Sequence, residues 1–129
     1  MGIQHYYTIL LMSLYAQSAI ILVILLHFSF LILEMFLWDK PLGLKIFNHS
    51  KELAAKTKVL AANQGLYNGF LAAGLAWGLF RESHGIESVL FFLACILIAG
   101  IFGAVTVKKS ILYIQAFPAA IAILMIHLT

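Results

Sequence analysis

Asn63-Gln64-Gly65-Leu66-Tyr67-Asn68-Gly69 runs straight into FLAAGLAWGLF over residues 70–80, so two amide-rich turns and a phenol sit inside a stretch otherwise apolar enough to cross a bilayer. What surrounds this stretch decides the fold class. Of the 129 residues 64% are apolar and only 10% charged, more apolar surface than a small soluble domain can bury. About 20 apolar residues cross the hydrocarbon core. Four segments reach that length or approach it: Tyr6 to Trp38, Val59 to Phe80, Val89 to Val107 and Ile111 to Leu128. Helix satisfies its own backbone within such a segment. The sequence therefore predicts an all-α polytopic membrane protein, one domain over residues 1–129, with four transmembrane helices in an antiparallel bundle.

The first segment has no Lys or Arg before it and is longer than a signal-peptide core of about 7–15 residues, so it reads as retained. Cys95 is the only cysteine and lies in the third span, which excludes an intrachain disulfide and suits a packing role.

Lys40, Lys45, Lys51, Lys56 and Lys58 lie in the 39–58 loop, and Lys108 and Lys109 join the third and fourth spans. Arg81 alone joins the second and third. Seven against one predicts that the Lys-bearing loops face the cytoplasm and both termini face outward, in a bacterial cytoplasmic membrane. The net charge of +3 is accounted for by lysines beside anionic headgroups; membrane lipids are the expected partners and no nucleic-acid motif is present.

The loop itself carries Asp39, Pro41 and Gly43 as turn signals just after the interfacial Trp38. Asn48 or Ser50 can cap a helix that begins around Lys51 and continues into the membrane. Gly85 reads as a helix breaker in RESHGIES, and TVKKS is short enough to force a hairpin. Gly65 and Gly69, Gly74 and Gly78, and Ala99 and Gly103 are each four apart, a spacing that serves internal packing or a homo-oligomer interface.

Counting about 1.5 Å per residue inward from the cytoplasmic ends places nearly every strongly polar intramembrane residue in one layer. Glu34 is one turn from Trp38, Asn63, Gln64, Tyr67 and Asn68 fill the next helix's first turns, and Thr106 and Gln115 lie just inside the third and fourth. Steps of about 100° put Asn63, Tyr67, Gln64 and Asn68 within an arc of about 140°. A polar arc among acyl chains is costly, so it is expected to face a cavity or a neighbouring helix.

Glu34 is the sharpest candidate. No Lys or Arg is placed to pair with it inside the span, so it is either protonated or held by amides, which suits a general acid or base or a proton-coupling group. The alternative is a carboxylate that reaches the headgroups and pairs with a loop Lys. Asn63, Gln64, Tyr67, Asn68 and Gln115 can orient the polar end of a ligand or join helices to one another. His27, seven residues before Glu34 on the same face, can relay protons or sit as a satisfied structural histidine. The other histidines, His5, His49, His84 and His127, are scattered and predict no metal site. Pro118 frees the carbonyl of Ile114 next to Gln115 and predicts a local kink. Thr106 is expected to bond back to its own helix.

HFSFLILEMFLW (27–38), ANQGLYNGFLAAGL (62–75), AGIFGAVTVKK (99–109) and QAFPA (115–119), in that order, resemble the domain-of-unknown-function 1304 family of small membrane proteins. That resemblance implies four helices and no particular chemistry. A second, architectural resemblance is to the membrane-associated eicosanoid and glutathione metabolism proteins, trimeric four-helix enzymes with outward termini. It sets Gln64, Tyr67 and Asn68 where that family has an Asn, a Glu and an Asn that bind glutathione. No Arg precedes them here, and Tyr67 stands in place of the acid.

Three functions stay open on the residues alone: a membrane enzyme or binding protein for a small lipophilic or amphiphilic molecule entering from the cytoplasmic leaflet, a proton-coupled exporter, or an accessory subunit without chemistry. No cofactor is specified by the residues.

Overall fold

The computed structural model describes residues 12–81 and 83–128. These residues are helical, without strands, and in chain order the helices are α1 (Leu14–Met35), α2 (Pro41–Phe47), α3 (Lys51–Phe80), α4 (Gly85–Thr106), a π-helical segment (Leu112–Ala116) and α5 (Phe117–His127). The all-α class expected from the sequence is the one observed. Tyr6 to Leu11, the start of the first expected span, fall outside the described residues.

Two helices, α1 and α4, are long and apolar enough to cross a membrane. Most of the surface of both is exposed within the chain. α3 has ample length at 30 residues, but its amides lower its apolar character. The run Leu112–His127 is apolar and shorter.

The helices contribute to two compact units, Met1–Leu26 with Leu71–Thr129, and His27–Phe70. In the first, fully buried Ile20, Val23, Leu75, Val89, Leu93 and Ile96 meet the small Ala16, Ala119 and Ala122. Gly100 is what closes the α4–α5 hairpin. A Cβ there would stand 2.7 Å from the Ala116 nitrogen and 2.8 Å from the Ala116 Cβ, so the two backbones touch without side chains between them. The connection turns through the Lys108 N–H bonded to the Gly103 carbonyl (3.1 Å) and the Ile111 N–H bonded to the Lys108 carbonyl (3.0 Å). Pro118, second residue of α5, has no N–H to give, and the turn before it widens: the Phe117 N–H reaches back five residues to the Leu112 carbonyl. The disturbance expected at Pro118 is thus a π-helical turn containing Gln115.

At the start of α4 it is His84, at φ 56°, and not Gly85 that takes the left-handed conformation; Gly85 is the first helical residue. A histidine tolerates that region better than most non-glycine residues.

The second unit is a helix–turn–helix in which α1 ends, α2 crosses the turn and α3 begins. The short α2 is an addition to the expected turn: Pro41 supplies a helical φ at its first position, where no N–H is needed. Gly43 lies against the Leu37 carbonyl so closely that no side chain would fit. Asn48 ends α2 at φ 51°, and Ser50 caps α3 by accepting the Leu53 N–H at 3.1 Å. The expected start of the helix near Lys51 is the observed one.

Candidate functional site

The turn of the His27–Phe70 unit fixes how α1 and α3 face one another, and it does so through Trp38. Its indole N–H donates to the Thr57 hydroxyl at 3.0 Å, and that hydroxyl in turn donates to the Leu53 carbonyl at 2.8 Å. The His49 ring donates from Nε2 to the Trp38 carbonyl at 3.1 Å, since a carbonyl can only accept, and the rings of Trp38, Phe47 and His49 lie 4.4–5.9 Å apart. Asp39 accepts from Lys58 Nζ at 2.7 Å, which holds its carboxyl below the usual carboxylate range. Trp38 was expected only as an interfacial anchor. A sequence signal for its further role existed in His49 and Thr57, but nothing in periodicity pairs residues 11 and 19 positions apart across a turn.

Above this knot the two helices come into contact along Gly65 and Gly69. A Cβ on Gly65 would meet Met35 Cγ at 2.7 Å, Glu34 Cβ at 3.0 Å and the Leu31 carbonyl oxygen at 3.1 Å, and one on Gly69 would meet the Leu31 side chain. This Gly-x-x-x-Gly pair therefore serves packing within the chain. One turn on from Gly65, Asn68 is 6% exposed and donates from Nδ2 to Glu34 Oε2 at 2.8 Å. Glu34 is half-buried, in the last turn of α1, and is held by an amide and not by a loop lysine.

The bond uses one carboxylate oxygen and one amide N–H. Glu34 Oε1 and Asn68 Oδ1 remain as acceptors, groups that suit a hydroxyl or an ammonium donor. The amide also serves both protonation states of its partner: Nδ2 donates to a carboxylate, and after a flip Oδ1 accepts from a carboxylic acid. Protonation then changes the bond's direction without leaving either group unsatisfied.

The other residues of the polar arc stand differently. Asn63, Gln64 and Tyr67 are exposed on α3, Tyr67 with its ring 6.4 Å from Phe70. The reason is rotational phase: the buried positions Ala61, Gly65, Asn68, Ala72 and Leu75 centre roughly opposite Asn63 and Tyr67, at about 100° per residue, so the arc enters the packed face only at Asn68. Gln64 lies between, one turn before Asn68 on the same side. His27 is fully buried, its ring edge-on to Phe30 at 5.5 Å, about 10 Å along α1 from Glu34. Gln115 belongs to the other unit, half-exposed within the π-helical turn. Thr106 donates to the Phe102 carbonyl of its own helix at 2.7 Å, as expected. Among the described residues no group of three or more His, Cys, Asp or Glu could hold a metal ion.

No solved structure matches this chain. The chain is similar to the uncharacterized protein YpaA of Lactococcus lactis subsp. lactis (strain IL1403), 32% identical over 106 residues that cover 81% of this chain and 89% of that protein. Residues 21–127, which include Glu34, Asn68 and both glycines between α1 and α3, match the family described as protein of unknown function (DUF1304). The chain belongs to that family, DUF1304.

Proposed function

We propose that the chain is a four-helix integral protein of the cytoplasmic membrane that binds, and acts on through Glu34, a small amphiphile whose polar head carries a hydroxyl or ammonium donor. Four spans, with both termini outside and the residue 39–58 loop inside, are supported by the outward-facing apolar surfaces of α1 and α4, by the length of α3, and by the seven-to-one distribution of Lys and Arg between alternate loops. The observation that carries the functional reading is the 2.8 Å bond from Asn68 to Glu34, which leaves one acceptor oxygen on each side chain.

A carboxyl that far along an apolar helix is costly unless it serves a purpose, and its partner is neutral, so a cationic or donor head would complete the site where no lysine does. Gln64, one turn towards the cytoplasmic loop, would take the next polar atom of the same head. In this reading Glu34 exchanges a proton with the bound molecule, and the apolar tail extends from the α1–α3 contact into the surrounding acyl chains. A proton-coupled exporter is the second reading. What favours it is the amide that suits both protonation states of Glu34, together with a fully buried His27 two turns away on the same helix.

Native mass spectrometry after gentle extraction tests the proposal. The wild type is expected to carry a co-purified amphiphile that Glu34→Gln and Asn68→Ala each lose, while helicity is unchanged. Equal adducts on all three proteins, or none on the wild type, would rule it out.

A further inference from the structure

We propose that α3 is the seam of a homo-oligomer, in which Asn63 and Tyr67 of one copy meet the same residues of a second. The inference rests on the membrane reading above and not on the Glu34 site. Lys56, Leu60, Asn63, Tyr67 and Phe70 are spaced 4, 3, 4 and 3 apart, the spacing of a two-helix seam, and every one is exposed: Leu60 by 70%, Tyr67 by 57% and Phe70 by 58%. Its membrane part, Leu60 to Phe70, is about 15 Å long, half of the hydrocarbon thickness. It lies on the side of α3 opposite Gly65 and Asn68, so nothing in the His27–Phe70 unit competes for it.

Apolar exposure alone would suit lipid. Asn63 and the Tyr67 hydroxyl do not, because acyl chains offer no hydrogen-bond partner and α1 packs on the other face, along Gly65 and Gly69. A second copy does offer one. Proteins inserted in one orientation associate with their helices parallel, which sets residue 63 opposite residue 63. An asparagine carries both donors and an acceptor, so it is its own complement across a two-fold axis. One Asn at such a seam position also fixes register. Lys56 at the cytoplasmic end is already bonded to Glu52 of its own helix at 2.7 Å, which lessens repulsion between the two copies there. No other feature of the face asks for a different partner: it has no charge between Lys58 and Phe70.

The test uses the full chain with Cys95→Ala, carrying single cysteines at positions 60, 63 or 67, at the flanking Leu66, or at Phe102 on exposed α4, reconstituted at low density in vesicles of defined phospholipid and oxidised. Crosslinks at twice the monomer mass are expected at 60, 63 and 67, and far weaker ones at 66 and 102. In the same vesicles, energy transfer between labelled copies should fall about 3- to 20-fold in association constant for Asn63→Leu and be restored by Asn63→Gln. Equal crosslinking at all five positions, none at the seam, or an unchanged Asn63→Leu protein would overturn the proposal. An alkaline wash of the vesicles separates causes: protein that stays in the membrane yet does not crosslink refutes the seam alone, whereas protein that washes off refutes the membrane reading with it.

Discussion

Gly65→Ala and Gly65→Leu probe the contact on which the Glu34–Asn68 pair depends. The added Cβ would lie 3.0 Å from Glu34 Cβ and 3.1 Å from the Leu31 carbonyl oxygen, where carbon contacts relax only at about 3.5 Å or more. Met35 Cγ, at 2.7 Å, belongs to a flexible side chain and can turn aside; the Leu31 carbonyl is backbone and cannot. The helices must then part by about 0.4 Å, a strain of about 1–3 kcal/mol. Against this, alanine favours helix over glycine by about 1 kcal/mol. Overpacking wins by a margin of about 1 kcal/mol for alanine and of about 2 kcal/mol or more for leucine, which adds three more carbons to the same space. The same parting would stretch the 2.8 Å bond from Asn68 to Glu34, so ligand retention should fall with stability. Reversible unfolding in mixed micelles, followed by helicity as denaturing detergent is added, measures the stability order wild type, Ala, Leu. If Gly65→Ala is more stable than wild type, propensity alone operates at this position and the close approach of α1 and α3 is wrong.

Thr57→Val removes the acceptor of the Trp38 indole while keeping the volume, and should cost about 1 kcal/mol with a red-to-blue change in tryptophan environment by fluorescence. Asp39→Asn tests the pH dependence of the turn. Lys58 lowers the folded carboxyl below its ordinary 3.8, so the stability it contributes is present above the unfolded value and is lost as pH falls through the lower, folded one. The difference between wild type and Asp39→Asn, measured by the same unfolding assay, should therefore persist at neutral pH and vanish only in strong acid; a difference that grows in acid would reverse the assignment. For orientation, cysteines placed at Lys45 and at Ser83 in a Cys95→Ala background should react with an impermeant thiol reagent from opposite sides of sealed right-side-out cells, Ser83→Cys from outside.

How far the sequence anticipated these contacts follows from the kind of information each needs. The Ser50 cap, the start of α3 at Lys51 and the Thr106 bond to its own helix are local, and hydroxyls at those spacings specify them. The disturbance at Pro118 was legible, though its form, a five-residue reach from Phe117 to Leu112, was not, because a missing N–H does not say how the turn before it relaxes. Depth brought Glu34 and Asn68 to one layer, and they are bonded. Rotational phase was harder: the arc from Asn63 to Asn68 was correct as geometry, but which edge of it packs was set by Gly65 and Ala61, small residues that a hydrophobic pattern does not distinguish from a lipid-facing side. The helix at Pro41 was hidden because proline and glycine mark a turn and a first helical position equally well.

The chain has five carboxyl side chains, Glu34, Asp39, Glu52, Glu82 and Glu87; Glu34 is half-buried in the last turn of apolar α1, whereas Glu87 is exposed in the first turn of α4. The central claim is that Glu34 is a membrane-embedded carboxyl open to a ligand from the lipid side. Peptide mass mapping after treatment of native membranes with a lipophilic carbodiimide, and separately with a water-soluble one plus an amine, tests it most directly. The account predicts that the lipophilic reagent modifies Glu34 selectively, that a long-chain amine added first protects it, and that the water-soluble reagent labels the other carboxyls but spares Glu34. Labelling of Glu34 by the water-soluble reagent to the same extent as Glu52, with no protection by the amine, would contradict it.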